Sequence, residues 1–171
     1  MTKPIIRRYS KIQLPIHFVW ATEGRRPFLT PEVERIAHRT IWALAERQDC
    51  TVLAVNGMAD HVHLAVLFSL NISAAEFVKR VKGATTAYLR QVYSQERFIR
   101  WEPGYAAIAF PYAGRQRVIE YIRNQKEHHA QSTTIAPWEE TEVWHEGELY
   151  RAGDVELAGD APPLQVCDQK L

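Results

Sequence analysis

CTVLAVNGMADHVHLAVLF, residues 50–68, holds two apolar, β-prone runs on either side of a short break. Asn56 and Gly57 are good turn residues, and with the Met-Ala-Asp segment after them they separate the runs, so the stretch predicts a β-hairpin. His61 and His63 stand inside the second run. On a strand, side chains two apart share a face, with Cα atoms roughly 7 Å apart. Alternation sends Val62, Leu64, Val66 and Phe68 toward a core and both imidazoles to the other face, where they can converge on one divalent ion. An isolated HxH pair fits polar residues on a solvated strand face at least as well.

Outward from the hairpin, LPIHFVWAT (14–22) reads as a first strand. A basic loop then leads into a helix with Thr30 as cap and Pro31 at its first position, running to about Arg47 with Val33, Ile36, Ile41, Leu44 and Ala45 at near-helical spacing. NISAAEFVKRVKGATTAYLRQVY is a second helix, its stripe formed by Phe77, Val78, Val81, Ala84 and Leu89 and its basic flank by Lys79, Arg80 and Lys82. WEPGYAAIAFPYAG (101–114) is β-prone but broken by Pro103 and Pro111, as an edge strand is. RQRVIEYIRNQKEHHAQ reads as a third, continuous helix. The order β, α, β, β, α, β, α matches the split βαβ of ferredoxin-like and RRM-like folds, an α+β class. It predicts an antiparallel sheet with helices on one face plus a C-terminal, tyrosine-bearing helix.

A chain of 171 residues with 46% hydrophobic content suits one such domain with an appendage. Cys50 and Cys167 lie far apart without CxxC spacing, which suggests neither a disulfide framework nor a zinc ribbon and fits a reducing cytoplasm. No run approaches the ~18 apolar residues of a membrane span. The net charge of +1 averages over a divided chain. Residues 1–130 carry 19 Lys+Arg against 11 Asp+Glu, whereas residues 131–171 carry 2 against 9. The chain therefore divides into a basic body (1–130), suited to polyanions, and an acidic tail (131–171) in which periodicity fades.

In EYIRNQKEHH, Tyr121, Asn124, Gln125 and His128 fall at i, i+3, i+4 and i+7 and form one polar stripe. A phenol can be a nucleophile at phosphorus if something activates it and neutralises the phosphate, and a Gln carbonyl can ligate a hard cation. If the stripe meets the His61–His63 strand, metal, phosphate and nucleophile share one site. Otherwise it is a solvent-facing stripe with Tyr121 packed at its edge.

DHVHL followed by YIRNQKEHH about sixty positions later resembles the single-tyrosine HUH transposases of small bacterial insertion sequences, the TnpA-like enzymes that move single-stranded DNA. HFVWATEGRRPFL, VNGMADHVHLAV, VKRVKGATTAYL and WEPGYAAIAF extend the resemblance in the same order, over roughly residues 12–130. It implies that His61, His63 and Gln125 hold Mg2+ or Mn2+ and that Tyr121 attacks a scissile phosphodiester, releasing a 3′-hydroxyl and leaving a 5′-phosphotyrosine. A second 3′-hydroxyl then rejoins strands, which is strand transfer and not hydrolysis. It further implies single-stranded DNA with hairpin ends as partner and a homodimer whose tyrosine helices complete each other's sites. Arg25, Arg26, Lys79, Arg80, Lys82, Arg97 and Arg100 are candidates for phosphate contacts and Trp101 and Tyr105 for base stacking, though each also fits an ordinary surface or core role. His17 reads as structural, His128 as a neighbour of the site or part of a solvated helix end, and Asp60 as orienting an imidazole or capping the turn.

The tail departs from the family pattern, which continues with a short helix rich in Phe, Leu and Glu. APWEETEVWHEGELYRAGDVELAGDAPPLQVCDQKL reads instead as an irregular end, or as an acidic cover over the basic body. Three rival functions remain. A domesticated relative would nick or bind hairpin DNA without moving it; an RRM-like module would need sheet aromatics in an RNP pattern, which is absent; a metallohydrolase lacks an evident carboxylate base and leaves Tyr121 without a role.

Overall fold

The computed structural model describes residues 12–93 and 100–141. Its centre is β3 (His61–Leu67), which pairs antiparallel with β1 (Pro15–Ala21) on one side and β2 (Thr51–Met58) on the other. β4 (Ala106–Ala109) adds to β1, giving the antiparallel order β2-β3-β1-β4. The proline-flanked strand is thus at an edge, where the missing N–H groups cost no ladder bonds.

Each face of this sheet is covered by different helices. Phe18 and Trp20 of β1 and Val62, Leu64 and Val66 of β3 form one core with α1 (Pro31–Glu46) and α2 (Ala74–Val92), whose Val33, Ala37, Ile41, Phe77, Val81 and Leu89 are buried against them. On the opposite face Ala54 and Ala65 meet Val118, Tyr121 and Ile122 of α3 (Arg115–Arg123). α1 begins as its sequence predicts, with extended Thr30 as cap and Pro31 at the start, although the Thr30 side chain makes no capping bond. Arg97 and Cys167 lie outside the described residues.

Two expectations need correction. Asn56 and Gly57 do not turn the chain: β2 continues through them to Met58, and the reversal falls at Ala59–Asp60. Gly57 is there because β3 comes too close for a side chain, since a Cβ would lie 2.1 Å from the His61 carbonyl oxygen. The Asn56 side chain donates to the Arg123 carbonyl at 2.8 Å, meeting an acceptor that the end of α3 leaves open. The third helix is also not continuous. It breaks at Asn124 (φ −98°, ψ 21°) and resumes as α4 (Gln125–Gln131), followed by a left-handed Ser132 and a short α5 (Ala136–Glu139). That segment falls in the stretch read from sequence as an irregular end.

Gly57→Ala should therefore destabilise the fold by about 1–3 kcal/mol, because the obstructing atom is backbone and cannot rotate away. Gly83→Ala, in α2 with nothing within 4 Å of a new Cβ, should be neutral or stabilising by up to about 1 kcal/mol. Urea unfolding of the two variants checks the contrast.

Candidate active site

His61 and His63 lie on the face of β3 opposite the α1–α2 core and are 1% and 0% exposed. Each ring is held by a second partner. The Asp60 carboxylate lies 2.7 Å from His61 Nδ1, the orienting role considered for it, and His17 Nε2 lies 2.9 Å from His63 Nδ1. With their Nδ1 atoms engaged, both rings turn Nε2 toward the same space. His17 is a buried neighbour of the pair, in keeping with its structural reading.

Tyr121 and Gln125 arrive on α3 and α4 and are buried against this pair. The Gln125 side chain is fully buried, and its Oε1 has no hydrogen-bond partner. His128 stacks on the Tyr121 ring at 4.8 Å between centroids, and its Nδ1 lies 2.9 Å from Thr133 Oγ1.

The residue that ties them together is one that sequence reading missed, Glu139 of α5. Its Oε1 accepts hydrogen bonds from the Tyr121 hydroxyl and from Gln125 Nε2, the latter at 3.3 Å. Its Oε2 lies 3.3 Å from His61 Nε2, 3.2 Å from His63 Nε2 and 3.4 Å from His129 Nε2. Trp138 packs edge-on against Tyr121 at 4.9 Å, and the Ile135 amide donates to the Tyr121 oxygen at 3.0 Å. Ala-Pro-Trp-Glu does carry a helix-start signal, a proline at the first turn followed by an acid, but four residues are too few to show periodicity.

The electrostatics follow from burial and this one carboxylate. Burial opposes charge on His61, but Asp60 and Glu139 together outweigh it and raise its pKa to about 9. Burial dominates at His63 and lowers it, and with the help of His63 it lowers His17 to about 3. Burial and the Glu139 carboxylate push the Tyr121 phenol up to about 12. Burial would raise Glu139, yet hydrogen bonding to His61 and His63 holds it well below the usual carboxylate range.

The donor set suits a divalent cation. His61 Nε2, His63 Nε2 and a Glu139 oxygen lie within 4.8 Å of one another. Gln125 Oε1 is buried without a hydrogen-bond partner, which is costly unless a cation takes its lone pair, and the only partner of His61 Nε2 and His129 Nε2 among the described residues is the Glu139 carboxylate.

Five of the DNA-contact candidates, Lys79, Lys82, Arg100, Trp101 and Tyr105, line a single groove between α2 and the segment before β4, together with Arg90. Lys82 is not a free surface cation there. It donates to the Glu102 and Gly104 carbonyls at 2.8 and 2.7 Å, and burial lowers its pKa to about 8, so it holds the groove wall in place. Trp101 packs edge-on against core Trp20 at 6.2 Å. Arg80 is paired with Glu76 at 2.7 Å and does not line the groove. Arg25 stands at the histidine site instead, 3.7 Å from Asp60 and donating to the Glu139 carbonyl at 3.4 Å, while Arg26 beside it is exposed.

Comparison with known proteins locates this arrangement. A family model described as "Transposase IS200 like" matches residues 10–125. ISDra2 transposase TnpA of Deinococcus radiodurans is 26% identical over 120 residues, 67% of this chain and 86% of that protein. A crystal structure of a transposase from Deinococcus radiodurans R1 superposes with a TM-score of 0.57 at 26% identity, covering 73% of this chain and 98% of that one. A REP-associated tyrosine transposase solved bound to a REP hairpin shares the fold, with a TM-score of 0.53 at 17% identity over 81% of this chain and 80% of that one. No helix among the described residues is long and apolar enough to cross a membrane.

The raised His61 pKa gives a signed pH dependence in the metal-free protein. A folded pKa of about 9 lies above the ordinary 6.5, so the stabilisation is full below pH 6.5 and is lost as pH rises through about 9. Asp60→Asn should therefore cost on the order of 1–2 kcal/mol at pH 6 and little at pH 10. Chemical unfolding in the presence of a chelator measures both; an equal cost at the two pH values would remove the Asp60–His61 pairing.

Proposed function

Because the chain belongs to the IS200-like transposase family, whose model spans residues 10–125, we propose that it cuts and rejoins single-stranded DNA with Tyr121 as nucleophile. The observation that carries the reading is that the phenol, the Gln125 side chain and both imidazoles converge on one half-buried carboxylate. Nucleophile and cation donors thus share a centre, which a metallohydrolase reading does not explain.

A divalent ion, Mg2+ or Mn2+, held by His61, His63 and Gln125 would supply charge neutralisation for the scissile phosphate. The rest falls to the chain's own groups. Tyr121 cannot ionise unaided at neutral pH, but its proton already points at Glu139 Oε1. As the phenolic oxygen bonds to phosphorus, the proton passes to that carboxylate, the phosphorus–O3′ bond breaks, and the 3′-oxygen takes up a proton from solvent. The 5′-phosphotyrosyl ester keeps the bond energy, so attack by another 3′-hydroxyl rejoins strands and restores the phenol. Arg25, within reach of Asp60 and the Glu139 carbonyl, adds positive charge at the rim. The cation-rich, aromatic groove along α2 suits the flanking DNA, with phosphates on Lys79 and bases against Trp101 and Tyr105.

Labelled single-stranded oligonucleotides from the flanking genome, incubated with Mn2+, should give a covalent protein–DNA adduct. The adduct should vanish in Tyr121→Phe and on chelation; its persistence in Tyr121→Phe would overturn the nucleophile assignment. A second expectation concerns the groove. Lys79→Ala should weaken single-strand binding and lower the slope of log K against log salt by about 0.7, whereas Arg80→Ala should leave that slope nearly unchanged.

A further inference from the structure

The set expected to hold the cation, two imidazoles and one carboxamide, carries no negative charge. Hard divalent ions are usually bound through at least one carboxylate. Glu139 stands where that carboxylate is needed, and its two oxygens face different ways. Oε1 takes the Tyr121 and Gln125 hydrogen bonds, while Oε2 lies 3.2–3.4 Å from three imidazole nitrogens, those of His61, His63 and His129. Without a cation Oε2 is the hydrogen-bond partner of His63 Nε2 and the ion-pair partner of His61 Nε2 and His129 Nε2, and their spacing around one oxygen is that of donors able to gather on a single ion. Gln125 Oε1, on a fully buried side chain whose Nε2 already reaches Glu139, has no hydrogen-bond partner.

We infer that Glu139, through Oε2, is a fourth protein ligand of the divalent cation. The inference rests on the reading of His61, His63 and Gln125 as the cation site and adds the charge which that reading lacks. It also gives residues 132–139 a task, because the left-handed turn at Ser132 and the short α5 bring the carboxylate back over the helix that carries the nucleophile. With Oε2 on the cation and Oε1 on the phenol, one side chain fixes the distance between them.

The experiment is Mn2+ titration of the full chain, followed calorimetrically and by the metal-induced rise in melting temperature. Wild type, His63→Ala and Glu139→Gln are compared; the last is isosteric, keeps one acceptor oxygen and removes the charge. Glu139→Gln should weaken Mn2+ binding by about tenfold or more and shrink the thermal shift, while melting of the metal-free protein shows that it is folded. Affinity within twofold of wild type in Glu139→Gln, alongside binding lost in His63→Ala, overturns the Glu139 assignment alone. Binding unaffected by His63→Ala overturns the underlying cation site. Faster adduct formation by Glu139→Gln at unchanged Mn2+ affinity also overturns the assignment, because it makes Glu139 a cover and not a ligand.

Discussion

The site depends on the twofold alternation of β3. Val62, Leu64 and Val66 fill the core under α1 and α2, and the intervening His61, His63 and Ala65 face α3. A slip of one residue would put both imidazoles into an apolar core and the valines into the site. The register is pinned from both sides, by pairing with β1 and β2 and by the close approach at Gly57, which leaves no room for another side chain against the His61 carbonyl. Folding and site assembly are therefore the same event at this strand.

A strand can present two histidines, but it cannot orient them. That falls to neighbours chosen by sheet geometry. In the β1–β3 register His17 pairs with Ala65, so His63 is its diagonal neighbour on the same face, close enough for the 2.9 Å contact between rings. Asp60, in the turn just before β3, reaches His61 from the strand's end. Both partners take Nδ1 and leave Nε2 for the centre.

Most of this was legible because strands and long helices announce themselves by period. The β-alternation around His61, the i, i+4 spacing of Tyr121 and Gln125 and the edge position of the proline-flanked strand all follow from it. What was not legible arises from contacts between distant parts of the chain. Asn56–Gly57 has the composition of a turn, yet its glycine answers to a steric approach and its asparagine to a carbonyl 67 residues away. The composition of residues 131–171 suggested an irregular end or a diffuse acidic cover, and the average hid one glutamate that is half-buried on the nucleophile. Lys82 looked like a surface cation because the carbonyls that hold it belong to a separate loop.

The break at Asn124 gives the helix pair that carries the nucleophile two separate anchors. Asn56 holds the end of α3 through the Arg123 carbonyl, and Lys126 of α4 reaches Glu34 of α1 at 2.7 Å, so α3 and α4 are fixed separately on the same body. A helix pair exchanged between two copies could make the same contacts on its partner, because exchange preserves every contact except those at the hinge. The choice therefore lies in residues 110–115. Here the chain closes a 3-10 turn over Tyr112–Gly114, and Arg115 both donates to the Tyr112 carbonyl at 3.0 Å and stacks on the Tyr112 ring at 4.1 Å. Those contacts hold the hinge in the form that seats Tyr121 beside His61 and His63, so the placement of the nucleophile rests on three residues of local geometry as well as on the two anchors.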